Sequence, residues 1–498
     1  MENKKTKIIS VVAVVALALT VITATYAYFQ AQVGNPAAAD IKVNANTVDT
    51  FTFSSGNAIS FSINQENFAS GKGNITGSTY ASALLTANNK TNTATEHYYL
   101  YLNIESNTFT YSINESTPEI IMTVTDSSGT EVTDISSLTH VVVTGANGTQ
   151  VSGYDITNKN GLITLFNNRE ITTTSSKEEK WNITITFVNY DESQNANAGK
   201  SMSAKVMIQS TKIPETIADV CFSGDNLATC LATLSSKSIS SLSKIYYHDS
   251  NLENGANDNS YRYAGASSEV NNYLYFSGVT DRFTWGYYRI IGVFNGQVKL
   301  ITQNFLADNP AWDENRSNTW SVATSNALLN GSSFLTYLGD TANKIATTTW
   351  KVGGNTWNNI GAKTASIVYQ NEINSPSPGS NSSTGETEYA AKIGLMYVSD
   401  YGFAANPVAW KIVLNGYNMI AENGILISKQ NWLFNGYYEW TMTRLSDTSN
   451  NVFQIYNNGL IRSAPVLDEG FMRPTFYLNS DVTYVSGTGT ASDPILVS

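Results

Sequence analysis

Apolar and polar residues alternate repeatedly between Tyr28 and about Ser210. A period of two places successive side chains on opposite faces of a strand. Because helical periodicity is absent between the alternating stretches, residues 28–210 are predicted to form a β-sandwich. Each stretch is bounded by Asn, Asp, Ser or Gly; they are HYYLYLNIES (97–106), EIIMTVTDSSG (119–129), HVVVTG (140–145), GLITLF (161–166), KWNITITFVNY (180–190) and SAKVMIQS (203–210).

The pattern changes between residues 211 and 260. Pro214 can begin a helix, because its fixed φ suits the first helical turn. Apolar residues then recur at helical spacing, as Ile217, Val220 and Cys221, and again as Leu227, Leu231 and Leu234. Residues 211–260 are therefore predicted to be a short helical linker between two domains.

Residues 261–498 combine strand and loop signals. Two apolar runs flank Asn295-Gly296, which is the strongest short-range signal for a β-hairpin. Residues 391–404 and 451–463 are further strand or hairpin candidates. Together these patterns predict a mainly β chain: an N-terminal β-sandwich, a short helical linker and a C-terminal α+β domain.

The N-terminus has the layout of an export signal. A basic stretch precedes an apolar run from Ile8 to about Ala24, and small residues follow. Residues 1–27 are predicted to be a signal peptide cleaved between Ala27 and Tyr28. The alternative is an uncleaved membrane anchor, because a run of about 20 apolar residues can cross a bilayer. Both alternatives place the remaining chain outside the cytoplasmic membrane, secreted or on the cell surface.

The chain has two cysteines, Cys221 and Cys230. In an exported protein such a close pair is predicted to form a disulfide. Closing a loop of about ten residues stabilises the fold by roughly 3 kcal/mol in the chain-entropy treatment. The alternative is a pair of reduced thiols on a short helical segment.

Composition narrows the possible partners. Charged residues make up 14% of the chain, and the formal net charge is −11. Nucleic acid is not expected as a partner, because Lys and Arg do not cluster beyond the N-terminus. Tryptophans in loop-rich sequence could stack on a ligand or could pin the loops to a core; they are Trp312, Trp320, Trp350 and Trp357.

The segment GYYEWTMTR (436–444) surrounds one carboxylate with aromatic residues. Glu439 is predicted to form a structural ion pair with Arg444 and Arg473, because a buried charge must be paired and hydrogen-bonded. The alternatives are a catalytic acid and a direct ligand contact. For a glycosidase, which needs two carboxylates, Asp400 and Glu439 are the pair to consider.

Other catalytic and cofactor patterns are absent from the sequence. His97, His140 and His248 lie far apart without a second ligand at zinc-binding spacing, so no metal site is predicted. A G-x-S-x-G motif and a phosphate-binding loop are also missing. The chain is predicted to have no cofactor and not to be an enzyme.

The N-terminal part resembles biofilm-matrix fibre proteins of the TasA and camelysin type. The residues that carry this resemblance are Thr25-Tyr26-Ala27, followed by the aromatic pair Tyr28-Phe29 and then a β-sandwich. It implies a Gram-positive source. It also implies that the freed N-terminal segment completes the sheet of a neighbouring subunit, so that like subunits build fibres.

Residues 259–498 resemble a widespread family of exported proteins from Firmicutes, through segments such as YYRIIGVFNGQVKLI and NWLFNGYYEWTMTR. More distantly, they resemble the C-type-lectin-like fold of formylglycine-generating enzymes. The residues matching that fold's two bracketing segments are Tyr438, Glu439, Trp440 and Thr441, and Gly470, Phe471 and Arg473. Those enzymes need a cysteine pair in this domain, and the last cysteine here is Cys230. Their catalytic activity is therefore not expected.

The lectin-like resemblance implies that the hairpin between Thr443 and Met472 faces a ligand. Tyr456, Asn457, Asn458 and Arg462 are accordingly expected to contact a glycan or protein on another cell. The resulting hypothesis is an exported adhesion protein with a sandwich stalk or assembly domain and a lectin-like recognition head. The alternative is a structural matrix protein that assembles by N-terminal strand addition, and the third possibility is a glycan-acting enzyme.

Overall fold

The computed structural model divides into two units between Lys212 and Ile213, and each unit has its own core. The predicted signal peptide and its cleavage position at Ala27 and Tyr28 lie outside the described residues. In the part of the chain that is described, no helix has the length and apolar character needed to cross a membrane. The structure describes residues 49–68, 72–88, 92–276, 287–306, 309–356, 360–374, 386–420 and 425–498.

The described part of the first unit contains ten strands, and the chain as described is mainly β, as predicted. The strands are β1 (Thr50–Ser55), β2 (Ile59–Ser62), β3 (Ile75–Thr86), β4 (Ala94–Asn107), β5 (Ile120–Thr125), β6 (His140–Thr144), β7 (Gln150–Asp155), β8 (Gly161–Thr173), β9 (Ser176–Phe187) and β10 (Ser201–Gln209). They make a six-stranded sheet in the order β1-β3-β9-β5-β7-β6 and a four-stranded sheet in the order β2-β10-β4-β8. Short 3-10 helices occupy Gln65–Phe68 and Asn195–Asn197.

Both sheets of the first unit bury alternate residues in one shared core. In β10, Met202, Ala204, Val206 and Ile208 are buried and the residues between them are partly exposed. This period of two is the pattern that predicted the strand. One edge of β10 is only partly covered in the described structure, because β4 pairs with it from Met202 to Gln209 whereas β2 pairs only from Ser201 to Ala204.

The second unit mixes strands with short helices. Its strands are β11 (Ile245–Tyr247), β12 (Tyr261–Tyr263), β13 (Tyr273–Phe276), β14 (Tyr287–Phe294), β15 (Gln297–Thr302), β16 (Thr348–Lys351), β17 (Glu388–Ala391), β18 (Ile393–Gly394), β19 (Glu439–Arg444), β20 (Asn451–Ile455), β21 (Ile461–Pro465), β22 (Thr475–Tyr477), β23 (Tyr484–Ser486) and β24 (Ile495–Val497). Its helices are α1 (Leu227–Lys237), α2 (Ser240–Ser243), α3 (Thr324–Asn330), α4 (Ser332–Tyr337), α5 (Thr341–Lys344), α6 (Ala365–Tyr369), α7 (Val398–Ala404), the π-helix Gln370–Asn374, and the 3-10 helices Ile217–Asp219, Trp320–Val322, Pro407–Ala409, Leu414–Gly416 and Ile427–Gln430.

The main sheet of the second unit has the order β18-β22-β15-β14-β13-β24-β23, and β12 joins β14 and β11. Its centre is the predicted hairpin of β14 and β15. Asn295 and Gly296 form the turn with φ of 49° and 78°, the left-handed pair that a tight hairpin requires. Strands β19, β20 and β21 form a separate antiparallel sheet, which carries the segment around Glu439.

The prediction that residues 211–260 are a separate linker is wrong. The apolar face of α1 is buried in the core of the second unit, and β11 pairs with β12. An amphipathic helix is stabilised mainly by packing its apolar face, and this core supplies the partner. Cys221 and Cys230 form the predicted disulfide, with their Cα atoms 5.7 Å apart.

The tryptophans of the loop-rich segments belong to the core. Trp312, Trp320 and Trp350 are each at most 1% exposed. They pin irregular chain to the sheet and are not ligand-stacking rings. Trp357 lies outside the described residues.

Candidate functional site

Strand β19 brings the carboxylate of Glu439 into the interior, because all six residues of the strand are buried. Gly436 turns the chain just before the strand with φ of 82°. Asn435 fixes this turn: its side-chain oxygen accepts a hydrogen bond from the Tyr437 backbone N–H at 2.9 Å, and its amide nitrogen donates to Glu439 Oε2. Asn435 thus holds the backbone just before the strand and also contacts the Glu439 carboxylate.

Glu439 and Arg473 form the predicted ion pair. Arg473 Nε donates to Glu439 Oε1 at 2.7 Å, and Nη2 donates to Oε2 at 2.9 Å. The Arg473 side chain is 4% exposed and the Glu439 side chain is 1% exposed. Burial raises the pKa of Glu439, and the Arg473 guanidinium opposes that shift. This bidentate geometry suits a structural role, because the carboxylate oxygens already accept hydrogen bonds from the neighbouring cation.

Arg444 is not a partner of Glu439 within the described structure, so this part of the prediction is wrong. Its Nε donates to the Gly353 carbonyl at 2.9 Å, and its guanidinium lies near Glu386. Arg444 stands at the opposite end of β19 from Glu439. The length of β19 therefore separates the Arg444 side chain from Glu439.

Asp400, the other carboxylate of the candidate catalytic pair, is also held by a cation. It lies in the first turn of α7, where its Oδ2 accepts from the Tyr397 backbone N–H at 2.8 Å and from Lys299 Nζ at 2.6 Å. Its side chain is 2% exposed. Asp400 and Glu439 therefore each belong to a separate buried ion pair.

The four residues expected to contact a ligand lie on the β20–β21 hairpin. Asn457 and Asn458 are exposed at the turn, and Tyr456 is partly exposed beside them. The Tyr456 backbone N–H donates to the Leu460 carbonyl at 2.8 Å and closes the turn. Arg462 is exposed, and its guanidinium carbon lies 5.5 Å from the Tyr456 ring centroid. The hairpin thus brings all four residues to one end of the β19–β21 sheet.

An exposed aromatic platform continues from this hairpin. Tyr438 contacts Tyr456 with ring centroids 4.9 Å apart, and the adjacent Tyr437 contacts Phe471 at 4.9 Å and Phe305 at 5.6 Å. Tyr437 and Tyr438 are 52% and 42% exposed. We call these five aromatic residues, together with Asn457, Asn458 and Arg462, the aromatic platform.

Sequence reasoning included Tyr456 and Arg462 in the candidate site but missed Tyr437, Phe305 and Phe471. A signal was present in the two consecutive tyrosines before β19. Phe305 and Phe471 reach the platform only through the fold, since they lie far from Tyr437 in sequence.

The platform combines the chemical groups that recognise polar, ring-shaped partners. Tyrosine rings offer flat apolar area at low entropic cost together with a hydroxyl. The amides of Asn457 and Asn458 can donate and accept hydrogen bonds, and Arg462 can bind an acidic group. Comparison of the chain with protein-family models, with curated proteins and with solved structures finds no match.

Proposed function

We propose that this chain is an exported binding protein whose second unit recognises a glycan on the surface of another cell through the aromatic platform. The first unit serves as a stalk or an assembly domain, and the chain is not an enzyme. The observation that carries the proposal is the exposure of Tyr437 and Tyr438, 52% and 42%, directly before a strand that is buried throughout.

Exposure of these rings is informative because burial would stabilise the fold. Apolar area removed from water contributes about 25 cal/mol per Å². Exposed aromatic patches with polar residues around them are typical of interaction surfaces. A sugar ring presents an apolar face to a tyrosine and hydroxyls to Asn457, Asn458 and Arg462, so a glycan fits the composition of the platform.

A non-enzymatic role is supported by the state of the two candidate catalytic carboxylates. Asp400 is bound to Lys299 and Glu439 to Arg473, and all four side chains are at most 4% exposed. A glycosidase needs both carboxylates at one sugar-binding cleft. We therefore assign recognition to the exposed platform and no catalytic role to the two ion pairs.

Alanine at Tyr456 or at Arg462 is expected to weaken glycan binding by at least about tenfold, the effect of losing roughly 1.4 kcal/mol of contact. Each change removes one edge of the platform without touching the core. The measurement is binding of residues 28–498 to an array of bacterial cell-wall and host-cell glycans, followed by titration with the best binder.

Tyr337→Ala is the matched control for this experiment. Tyr337 is 54% exposed on α4 and lies outside the platform. Its loss should leave array binding unchanged, and all variants should keep the wild-type melting temperature. Unchanged binding by both platform variants, or no glycan bound by the wild-type chain, would refute the proposed function.

A second candidate function, assembly into fibres, is favoured by the partly covered edge of β10. Within the described strands, Lys205–Gln209 pair with β4 on one side while β2 ends opposite Ala204. An uncovered strand edge offers backbone hydrogen-bonding groups to a further strand. A strand from another copy of the chain is the occupant that this alternative requires.

Deletion of residues 28–45 is expected to abolish any polymer formed by residues 28–498, because the added strand would come from that segment. The measurement is the molar mass of both proteins by light scattering at equal concentrations. Equal circular dichroism spectra would serve as the folding control. Polymers that persist after the deletion, or monomers in both samples, would count against assembly by N-terminal strand addition.

A further inference from the structure

The second unit contains another candidate site, at the tip of the β14–β15 hairpin. A cavity of about 460 Å³ is lined by charged and aromatic residues that include Arg262, Phe294, Lys299, Asp400 and Tyr477. None of the platform residues is among those that line it. The volume falls within the range of about 300–1,000 Å³ in which proteins bind small ligands.

A neighbouring cavity of about 410 Å³ extends this site along α1. The two cavities share Asp258 and Asn295 in their linings. Asn295 occupies the hairpin turn, so the turn forms the boundary between the cavities. A ligand larger than one ring could therefore continue from one cavity into the other.

Lys299 presents unused hydrogen-bond donors to the larger cavity. Its side chain is 1% exposed, and its Nζ donates to Asp400 Oδ2 at 2.6 Å. An ammonium group has three N–H donors, and Asp400 is its only hydrogen-bond partner among the described residues. The ammonium also lies 4.5 Å from the Tyr397 ring centroid and 5.5 Å from that of Tyr477. The rings of Phe294 and Trp350 are also 5.5 Å away, so the remaining N–H groups meet aromatic rings, which are weaker partners than an oxygen acceptor that enters the cavity.

Arg262 presents donors to the same cavity. Its Nε donates to Ser260 Oγ at 2.8 Å and its Nη2 donates to Asp258 Oδ2 at 2.6 Å. Its Nη1 lies 3.8 Å from Asp400 Oδ1, which is too long for a hydrogen bond. The guanidinium is 2% exposed, yet Nη1 has no hydrogen-bond acceptor in the described chain. Arg262 and Lys299 thus lie on either side of Asp400, and each has N–H groups without a hydrogen-bond acceptor among the described residues.

The charge of the lining limits what the donors can bind. Arg262, Lys299 and Lys351 are positive whereas Asp258 and Asp400 are negative, an excess of one positive charge. Lys351 is in turn paired with Glu388 outside the lining. With Lys351 neutralised by Glu388, the two remaining cations balance the two aspartates, so a ligand with one negative charge is accommodated at less cost than a phosphate dianion.

We propose that the larger cavity binds the carboxylate-bearing sugar of an acidic saccharide, a hexuronic acid, and that the smaller cavity receives the next sugar of the chain. The carboxylate accepts charge-assisted hydrogen bonds from Lys299 and Arg262. The rings of Phe294 and Tyr477 contact the apolar face of the sugar. This inference is independent of the aromatic platform, which can fail as a binding site without affecting the cavity.

The test is calorimetric titration of residues 28–498 with D-glucuronate and D-galacturonate, and with D-glucose and acetate for comparison. A uronate is expected to bind at least about tenfold more tightly than glucose or acetate, because only the uronate offers both a carboxylate and a sugar ring. Equal affinity for glucose, equal affinity for acetate, or no saturable uronate binding would overturn the proposal.

Substitutions of residues that line the cavity test whether the uronate binds there. Phe294→Leu removes one of the two rings expected to contact the sugar and should weaken uronate binding about fivefold or more, and Lys299→Met should abolish it. Lys237→Met is the matched control, because Lys237 is exposed on α1 and does not line either cavity. If Lys299→Met fails to fold, Phe294→Leu decides the question, and wild-type affinity in that variant would overturn the placement.

Discussion

Arg473→Met is expected to lower the free energy of unfolding of the second unit by about 3–5 kcal/mol, the usual cost of leaving a buried charge without its partner. Glu439 is 1% exposed and receives two hydrogen bonds from Arg473. After the substitution, Asn435 would be the only side chain still donating to Glu439 among those described. Urea denaturation at pH 7, followed by tryptophan fluorescence, measures the change.

The double variant Glu439→Met/Arg473→Met separates the charge effect from the packing effect. With both charges removed, the loss should be smaller than for Arg473→Met alone, because no uncompensated charge remains. Lys205→Met is the exposed control: Lys205 and Glu105 pair at 2.7 Å with side chains about 40% exposed, and such pairs contribute about 0–1 kcal/mol. A loss in Arg473→Met no larger than that of Lys205→Met would contradict the assigned structural role.

The ion pair illustrates what a sequence can predict about a site. The aromatic residues around Glu439 in the sequence predicted that it is buried. The cost of burying a charge predicted that it has a cationic partner. The choice between Arg444 and Arg473 did not follow from the sequence. Arg473 is 34 residues away in the chain, and it reaches Glu439 only because Glu439 and Phe471 form a β-bridge.

Alternation predicted the strands of the first unit, where one face is buried, and failed to predict a helix that is buried on all sides. The first unit has the alternating kind, as in β10. Residues 391–404 were predicted as strand or hairpin, whereas the structure has a two-residue strand, β18, and the helix α7. All seven residues of α7 are buried, so the helix lacks the one-sided apolar stripe that marks an amphipathic helix.

The cavity residues were hidden from sequence analysis for a related reason. Lys299 lies between Val298 and Leu300 in β15, and strict alternation would place it on an exposed face. In the structure β15 is buried on both faces, and Asp400 of the helix α7 contacts Lys299 there. Arg262 and Asp400 come from separate segments that meet Lys299 only in the folded unit. Such a constellation depends on tertiary contacts that local patterns do not encode.

The free energy of unfolding of the second unit is expected to decrease by about 3 kcal/mol as pH rises from about 4 to 8 because of one group, Glu372. Burial raises the pKa of Glu372 to about 7, and the nearby Asp400 carboxylate adds to the increase. Hydrogen bonds from Ser399 and Thr443 oppose it. The side chain is 1% exposed and accepts from the Val398 backbone N–H at 3.0 Å.

The sign follows from the two protonation states. In the unfolded chain Glu372 loses its proton near the ordinary pKa of 4.5, whereas in the folded chain it keeps the proton until about pH 7. The stabilising contribution is therefore complete below about pH 4.5 and is lost as pH rises through about 7. His248 acts in the opposite direction, because burial holds its pKa well below 6.5, so that its contribution is lost as pH falls.

Glu372→Gln isolates this effect, because an amide does not titrate in this range. Urea denaturation of the wild type and the variant at several pH values between 4 and 8 gives two stability curves, and their difference removes the contribution of His248 and other shared groups. The difference should change by about 3 kcal/mol across the range, with the wild type relatively more stable at low pH. If the amide changes the free energy of unfolding by the same amount at every pH, that amount does not affect how the difference varies with pH. Parallel curves would mean that Glu372 titrates in the folded chain as it does in the unfolded one, and that its buried hydrogen bonds compensate fully for burial.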